Sequence, residues 1–86
     1  MKYRISPHAE KEFVRRQIPH ESVEAVLAHS EEIVPASGGR SAYQSMLLFE
    51  EGKMFLLRVI VDDSGDPPVV VTAYRTSKIA KYRRQP

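Results

Sequence analysis

Met54-Phe55-Leu56-Leu57-Arg58-Val59-Ile60-Val61 is the most apolar stretch of the sequence, and its aliphatic and β-branched content reads as a β-strand. Glu50-Glu51-Gly52-Lys53, just before it, reads as a hairpin turn in which Gly52 is free to take positive φ. Across that turn, Arg40 to Phe49 alternates loosely and forms the partner strand. Asp62-Asp63-Ser64-Gly65-Asp66 is a second turn, without the length or the terminal glutamate of a calcium loop. Pro67-Pro68 fits only a strand entrance, so Val69 to Tyr74 supplies the last strand. Ile33-Val34 begins another, ended by a mobile turn at Ser37-Gly38-Gly39.

Upstream the pattern is helical. Ser6 can cap free backbone amides, and Pro7 at the first helical position loses no hydrogen bond. Ala9, Phe13 and the flanking Ile5 make an apolar stripe, with Glu10, Lys11, Glu12, Arg15 and Arg16 elsewhere on the surface. Proline disfavours helix in the residue before it, so Ile18-Pro19 interrupts. A second helix follows from about His20 to His29, burying Val23, Val26 and Leu27. Lys2 to Ile5 reads at most as a short lead-in strand, and Ser77 to Tyr82 as either a helical turn or an extended tail. The expected architecture is one α+β domain over residues 1–86. A helical hairpin at about 6–29 packs on a curved antiparallel sheet of three or four strands at about 33–75, and a basic segment occupies 75–86.

A chain of 86 residues accommodates one small core. The absence of cysteine excludes disulfide scaffolds, thiol catalysis and cysteine zinc sites. Apolar runs such as Val69-Val70-Val71 are too short for a bilayer, and no basic region followed by an apolar one opens the chain. The expectation is a cytoplasmic protein with no membrane association. His20 and His29 on the second helix share no face that would make a metal site, and no zinc-protease, hydrolase or phosphate-loop pattern is present, so neither metal nor cofactor is expected. Charge is unevenly placed. Residues 1–66 hold eight Lys or Arg against eleven Asp or Glu, a net of −3, whereas residues 67–86 hold five Lys or Arg and no acid, a net of +5. A basic end of this kind suits an anionic partner, or is a solvated tail.

Arg58 is the anomaly within the apolar strand. Strict alternation puts it on one face with Met54, Leu56, Ile60 and Asp62, where a guanidinium is costly unless paired or wet. It is either paired to a neighbour such as Gln44 or Thr72, or held as a preorganised anion site. Tyr43 and Arg40 on the preceding strand and Tyr74 on the following one could join it, although Arg40 and Tyr43 differ in parity and fall on opposite faces. His8, in the first turn of helix one, is either an ordinary surface histidine, the reading its position favours, or an acid/base candidate with Glu12 at i+4 as its local carboxylate. From Tyr74 to Arg84 the chain mixes Tyr, Thr, Lys and Arg, including Thr76, Lys78 and Lys81, a composition suited to single-stranded RNA or to an exposed tail.

Together these segments resemble the bacterial domain-of-unknown-function family 4258. The likeness is carried by Ser6-Pro7-His8-Ala9 with Phe13 and Arg16, by Glu21 to Leu27, by Tyr43-Gln44, by Leu56 to Asp62, and by Val69 to Ile79 with its Thr72-Ala73-Tyr74-Arg75-Thr76-Ser77-Lys78-Ile79 ending. That family is similar to the RelE/ParE and BrnT-type toxins, small metal-independent ribonucleases. The resemblance implies a RelE/ParE-like fold and an endoribonuclease of a bacterial toxin–antitoxin or conflict system, cutting RNA by attack of a ribose 2′-hydroxyl on the adjacent phosphate. It implies His8 as acid or base, Arg58 on the phosphate, and Tyr74 with Thr76 or Lys78 completing the site, Arg40 and Tyr43 being secondary. RNA, including ribosome-bound message, and a cognate antitoxin protein are the implied partners. The competing expectations are a non-catalytic RNA- or protein-binding module on the same surface, and a scaffold whose charges are simply solvated.

Overall fold

The computed structural model describes residues 2–83; Arg84, at the end of the basic run, lies outside them. The chain runs β1 (Arg4–Ile5), α1 (Pro7–Arg15), α2 (His20–Ala28), β2 (Glu32–Ala36), β3 (Arg40–Leu48), β4 (Met54–Asp62), β5 (Val69–Thr76) and α3 (Ile79–Tyr82). The sheet order is β1-β5-β4-β3-β2. β2 to β5 form an antiparallel meander as the turn signals required. The sheet nevertheless has five strands and is mixed, because β1 lies parallel to β5 with Arg4 opposite Val69 and Ile5 opposite Val70. Two residues carry no periodicity, so this pairing leaves no trace in the sequence. It is held by Arg4 N–H to the Pro68 carbonyl at 2.8 Å and Ser6 N–H to the Val70 carbonyl at 3.0 Å. Its consequence is that α1 starts beside β5.

α1 begins as its sequence dictates. The Ser6 hydroxyl accepts from Ala9 N–H at 3.0 Å, and Pro7 occupies the first turn. Ala9 and Phe13 of α1 and Val23, Val26 and Leu27 of α2 form one buried cluster with Leu57, Val59, Val61, Val70 and Ala73 of the sheet. Leu57, Val59 and Val61 are alternate residues of β4, so they share one face. Ile60 lies on the other face and joins a smaller cluster with Val34 and Ala42. The central strand β4 is therefore covered on both sides, which is why it reads as an apolar run broken only by Arg58.

α1 stops before the proline that was expected to end it. Gln17 takes φ 55°, the Ile18 N–H reaches the Phe13 carbonyl at 2.9 Å, and the Gln17 N–H reaches the Val14 carbonyl at 3.2 Å. Ile18 and Phe13 are both buried in the same cluster. This is the paired hydrogen-bond and hydrophobic arrangement of a Schellman cap, with glutamine where glycine is usual. A side chain at positive φ costs about 1 kcal/mol, partly offset by the greater unfolded-state freedom of glycine. Gln17→Gly is expected to stabilise the fold by about 0.5 kcal/mol, read as a higher urea midpoint at unchanged slope; a lower midpoint contradicts the strain.

Candidate functional site

Register sets the site. Glu32 on β2 faces Gln44 on β3, Gln44 faces Arg58 on β4, and Arg58 faces Tyr74 on β5. Four polar side chains thus cross the sheet in a single row, on the face away from α1 and α2. Gln44 is fully buried and Arg58 only 7% exposed. The Arg58 Nε donates to Gln44 Oε1 at 2.8 Å, and its Nη1 donates to the Tyr74 hydroxyl. Gln44 Nε2 donates to Glu32 Oε1 at 2.7 Å and to the Tyr82 carbonyl at 3.1 Å. The guanidinium carbon of Arg58 sits 4.3 Å from the Tyr82 ring centre and 5.6 Å from that of Tyr74. Its pairing thus takes the form expected with Gln44, with Tyr74 in place of Thr72.

Two clefts open on this side and meet. One, of about 550 Å³, is lined by Arg40, Arg58, Tyr74, Lys81, Tyr82 and Arg83 among others. The other, of about 540 Å³, is lined by His8, Glu12, Arg16, Arg40, Thr72 and Tyr74 with Ser6 and Val71. Arg40, Thr72 and Tyr74 belong to both. The register shift between Ile60 and Val61 leaves Val71 as the extra residue of β5, between Val70 opposite Val61 and Thr72 opposite Ile60, and Thr72 shares the face of Tyr74 by alternation. His8 is exposed at the outer rim.

The structure therefore brings His8, Arg40, Arg58, Tyr74 and Lys81 onto one surface. Tyr43 is not there. It pairs with Val59 and packs into the cluster under the helices, on the face that its parity assigned. Thr76 and Lys78 line neither cleft. The Thr76 hydroxyl accepts from the Lys78 N–H at 3.0 Å and so shapes the turn into α3. The basic end is not a free tail: Arg75 pairs with Glu51 at 3.2 Å and Arg83 with Glu31 at 2.8 Å. Sequence reasoning placed Arg16 on the surface at large and passed over Tyr82. Arg16 was within reach, because His8, Glu12 and Arg16 are spaced i, i+4, i+8 on one helix face. Its Nη1 donates to the Ala73 carbonyl at 2.9 Å, and its Nη2 pairs with Glu12 at 2.8 Å. Tyr82 carried no such signal, since only tertiary docking of α3 puts it over Arg58.

Burial pushes the Tyr74 phenol above its ordinary range, against the opposing pull of Arg58, so it stays protonated at neutral pH. The Tyr82 phenol is held down, first by the Tyr74 hydroxyl and then by Lys81. Glu12 is held low, chiefly by its hydrogen bond from Arg15, with Arg16 and His8 adding smaller attractions.

A family model matches residues 5–75, and the chain belongs to that family, described as a domain of unknown function (DUF4258). No characterised protein and no solved structure matches the chain. Among the described residues, no helix is long and apolar enough to cross a membrane.

Two measurements probe this geometry. Gln44→Leu strips a buried cation of its acceptor, and Arg58→Met leaves the buried Gln44 Oε1 without its donor; each should cost about 2–4 kcal/mol in denaturant unfolding. Together they should cost about 1–2 kcal/mol less than the sum, whereas additive losses would mean that the row is not coupled. For Glu12, a folded pKa below the unfolded value of about 4.3 means its contribution is complete above that value. That contribution is lost as pH falls through the depressed folded one. Glu12→Gln should make the acid limb of the stability–pH curve shallower while leaving its neutral slope unchanged.

Proposed function

We propose that this protein is a toxin-like endoribonuclease whose chemistry takes place where the two clefts meet, and that its kinship lies with the RelE/ParE and BrnT-type toxins. The observation that carries this reading is that His8 and Arg58 line clefts sharing Tyr74, Arg40 and Thr72. An acid/base group, a protonated phenol and several cations thereby border one continuous surface. In this reading His8 takes the proton of a ribose 2′-hydroxyl, and the 2′-oxygen attacks the adjacent phosphorus. The bond from phosphorus to the 5′-oxygen breaks, leaving a 2′,3′-cyclic phosphate. The Tyr74 hydroxyl accepts an N–H from Arg58, and its own proton, held toward the Tyr82 oxygen, passes to the departing oxygen. Arg40 and Arg58 hold the charge that builds on the phosphate. RNA is the substrate, free or as ribosome-bound message, and an antitoxin protein masks the same surface.

A second reading, a non-catalytic RNA- or protein-binding module, is favoured by one observation: Arg58 is nearly buried beneath Tyr82. The two readings part in one experiment. Purified protein incubated with single-stranded RNA should yield fragments ending in 2′,3′-cyclic phosphate, and its expression should arrest growth. His8→Gln and Arg58→Ala should each slow cleavage by about 10² or more. Salt-sensitive binding without any cleavage, with free RNA and with ribosome-bound message alike, would sink the nuclease reading and leave the binding module.

A further inference from the structure

The orientation of the Gln44 amide is fixed from both sides. Arg58 can only donate, so it claims Oε1, and Glu32 takes one hydrogen of Nε2. The second Nε2 hydrogen points out of the sheet face, where the Tyr82 carbonyl accepts it at 3.1 Å. Beside that carbonyl, the Tyr82 ring lies over the Arg58 guanidinium, 4.3 Å from its carbon. The last residue of α3 thus presents two things to the sheet: a flat ring upon a cation, and an oxygen acceptor against a fixed donor. A nucleobase presents the same two, a π-face and an acceptor edge, and bases of single-stranded RNA are held in this way by arginine planes and side-chain amides.

The segment making these contacts is lightly held. α3 is four residues long, lacks a side-chain cap, and continues into Arg83, whose ion pair to Glu31 is exposed. A helix so short has little stability of its own, and an exposed pair adds at most about 1 kcal/mol. If it left, the Arg58 guanidinium and one Gln44 N–H would exchange their Tyr82 partners for water, which a ligand ring and acceptor can then replace.

We propose that residues 79–83 occupy a nucleobase subsite, and that a base of single-stranded RNA displaces them to stack on Arg58 and accept from Gln44. The inference rests on RNA being the ligand, as in the preceding reading, but not on its being cut. A 2′-O-methylated oligouridylate, which lacks the attacking hydroxyl, tests it apart from cleavage. Tyr82→Ala should bind this probe about tenfold more tightly than the native protein, while affinity for an abasic oligomer of equal charge stays unchanged. Weaker or equal binding by Tyr82→Ala, an equal gain for the abasic oligomer, or no binding by either protein would overturn the proposal. Native protein supplies a second readout that does not depend on the variant. Saturating probe should speed hydrogen exchange at the backbone amides of residues 79–83, and slowing there would show that they close over RNA and are not displaced by it.

Discussion

One guanidinium in the middle strand of a five-stranded sheet governs the far side of this molecule. A charge taken out of water is costly unless its donors are matched, and Arg58 meets that demand through neutral oxygens and ring faces. Its partners arrive from three places: Gln44 from β3, Tyr74 from β5, and Tyr82 from the docked α3. None would be in place if a strand slipped by one residue, since every side chain would change face. The requirement to satisfy Arg58 therefore fixes register across β3, β4 and β5 as firmly as the apolar cluster does on the other side.

The two faces of the sheet divide the work. Beneath α1 and α2, β4 contributes Leu57, Val59 and Val61 to a dry cluster. On the other face Arg58 interrupts Leu56 and Ile60 along the same strand, and polar groups gather around it. Tyr74 is held between the guanidinium groups of Arg16 and Arg58, with its ring centre 5.9 and 5.6 Å from them. Arg16 ties α1 to the β5 backbone at the wall that both clefts share, so the helix carrying His8 is anchored there.

Local signals were legible and long-range ones were not. Ser6 with Pro7, the spacing of Val23, Val26 and Leu27, and the turns at Gly52 and Gly65 each encode their own neighbourhood, and the structure follows them. Parity alone put Arg40 and Tyr43 on opposite faces. It also put Arg58 among Leu56 and Ile60, enough to mark the surface on which His8 and Tyr74 converge. What escaped was set by partners distant in the chain. A lead-in strand at Arg4–Ile5 was open to sequence reading but its parallel pairing with β5 was not, and Arg16 touches the cleft only because β1 holds α1 there. Tyr82 is part of the site only through the folding back of α3. The Schellman end at Gln17 escaped for another reason, because glutamine carries none of the sign that glycine would.

The pairing of β1 with β5 joins residues 4 and 5 to residues 69 and 70. Synthesis delivers α1 first, yet its strand partner emerges some sixty residues later. Until then His8 has no wall opposite it, and closing so long a loop is entropically slow. Tyr74 and α3 follow later still. A chain translated only as far as β4 consequently has neither cleft, and whatever this surface does begins only after β5 and α3 have emerged from the ribosome.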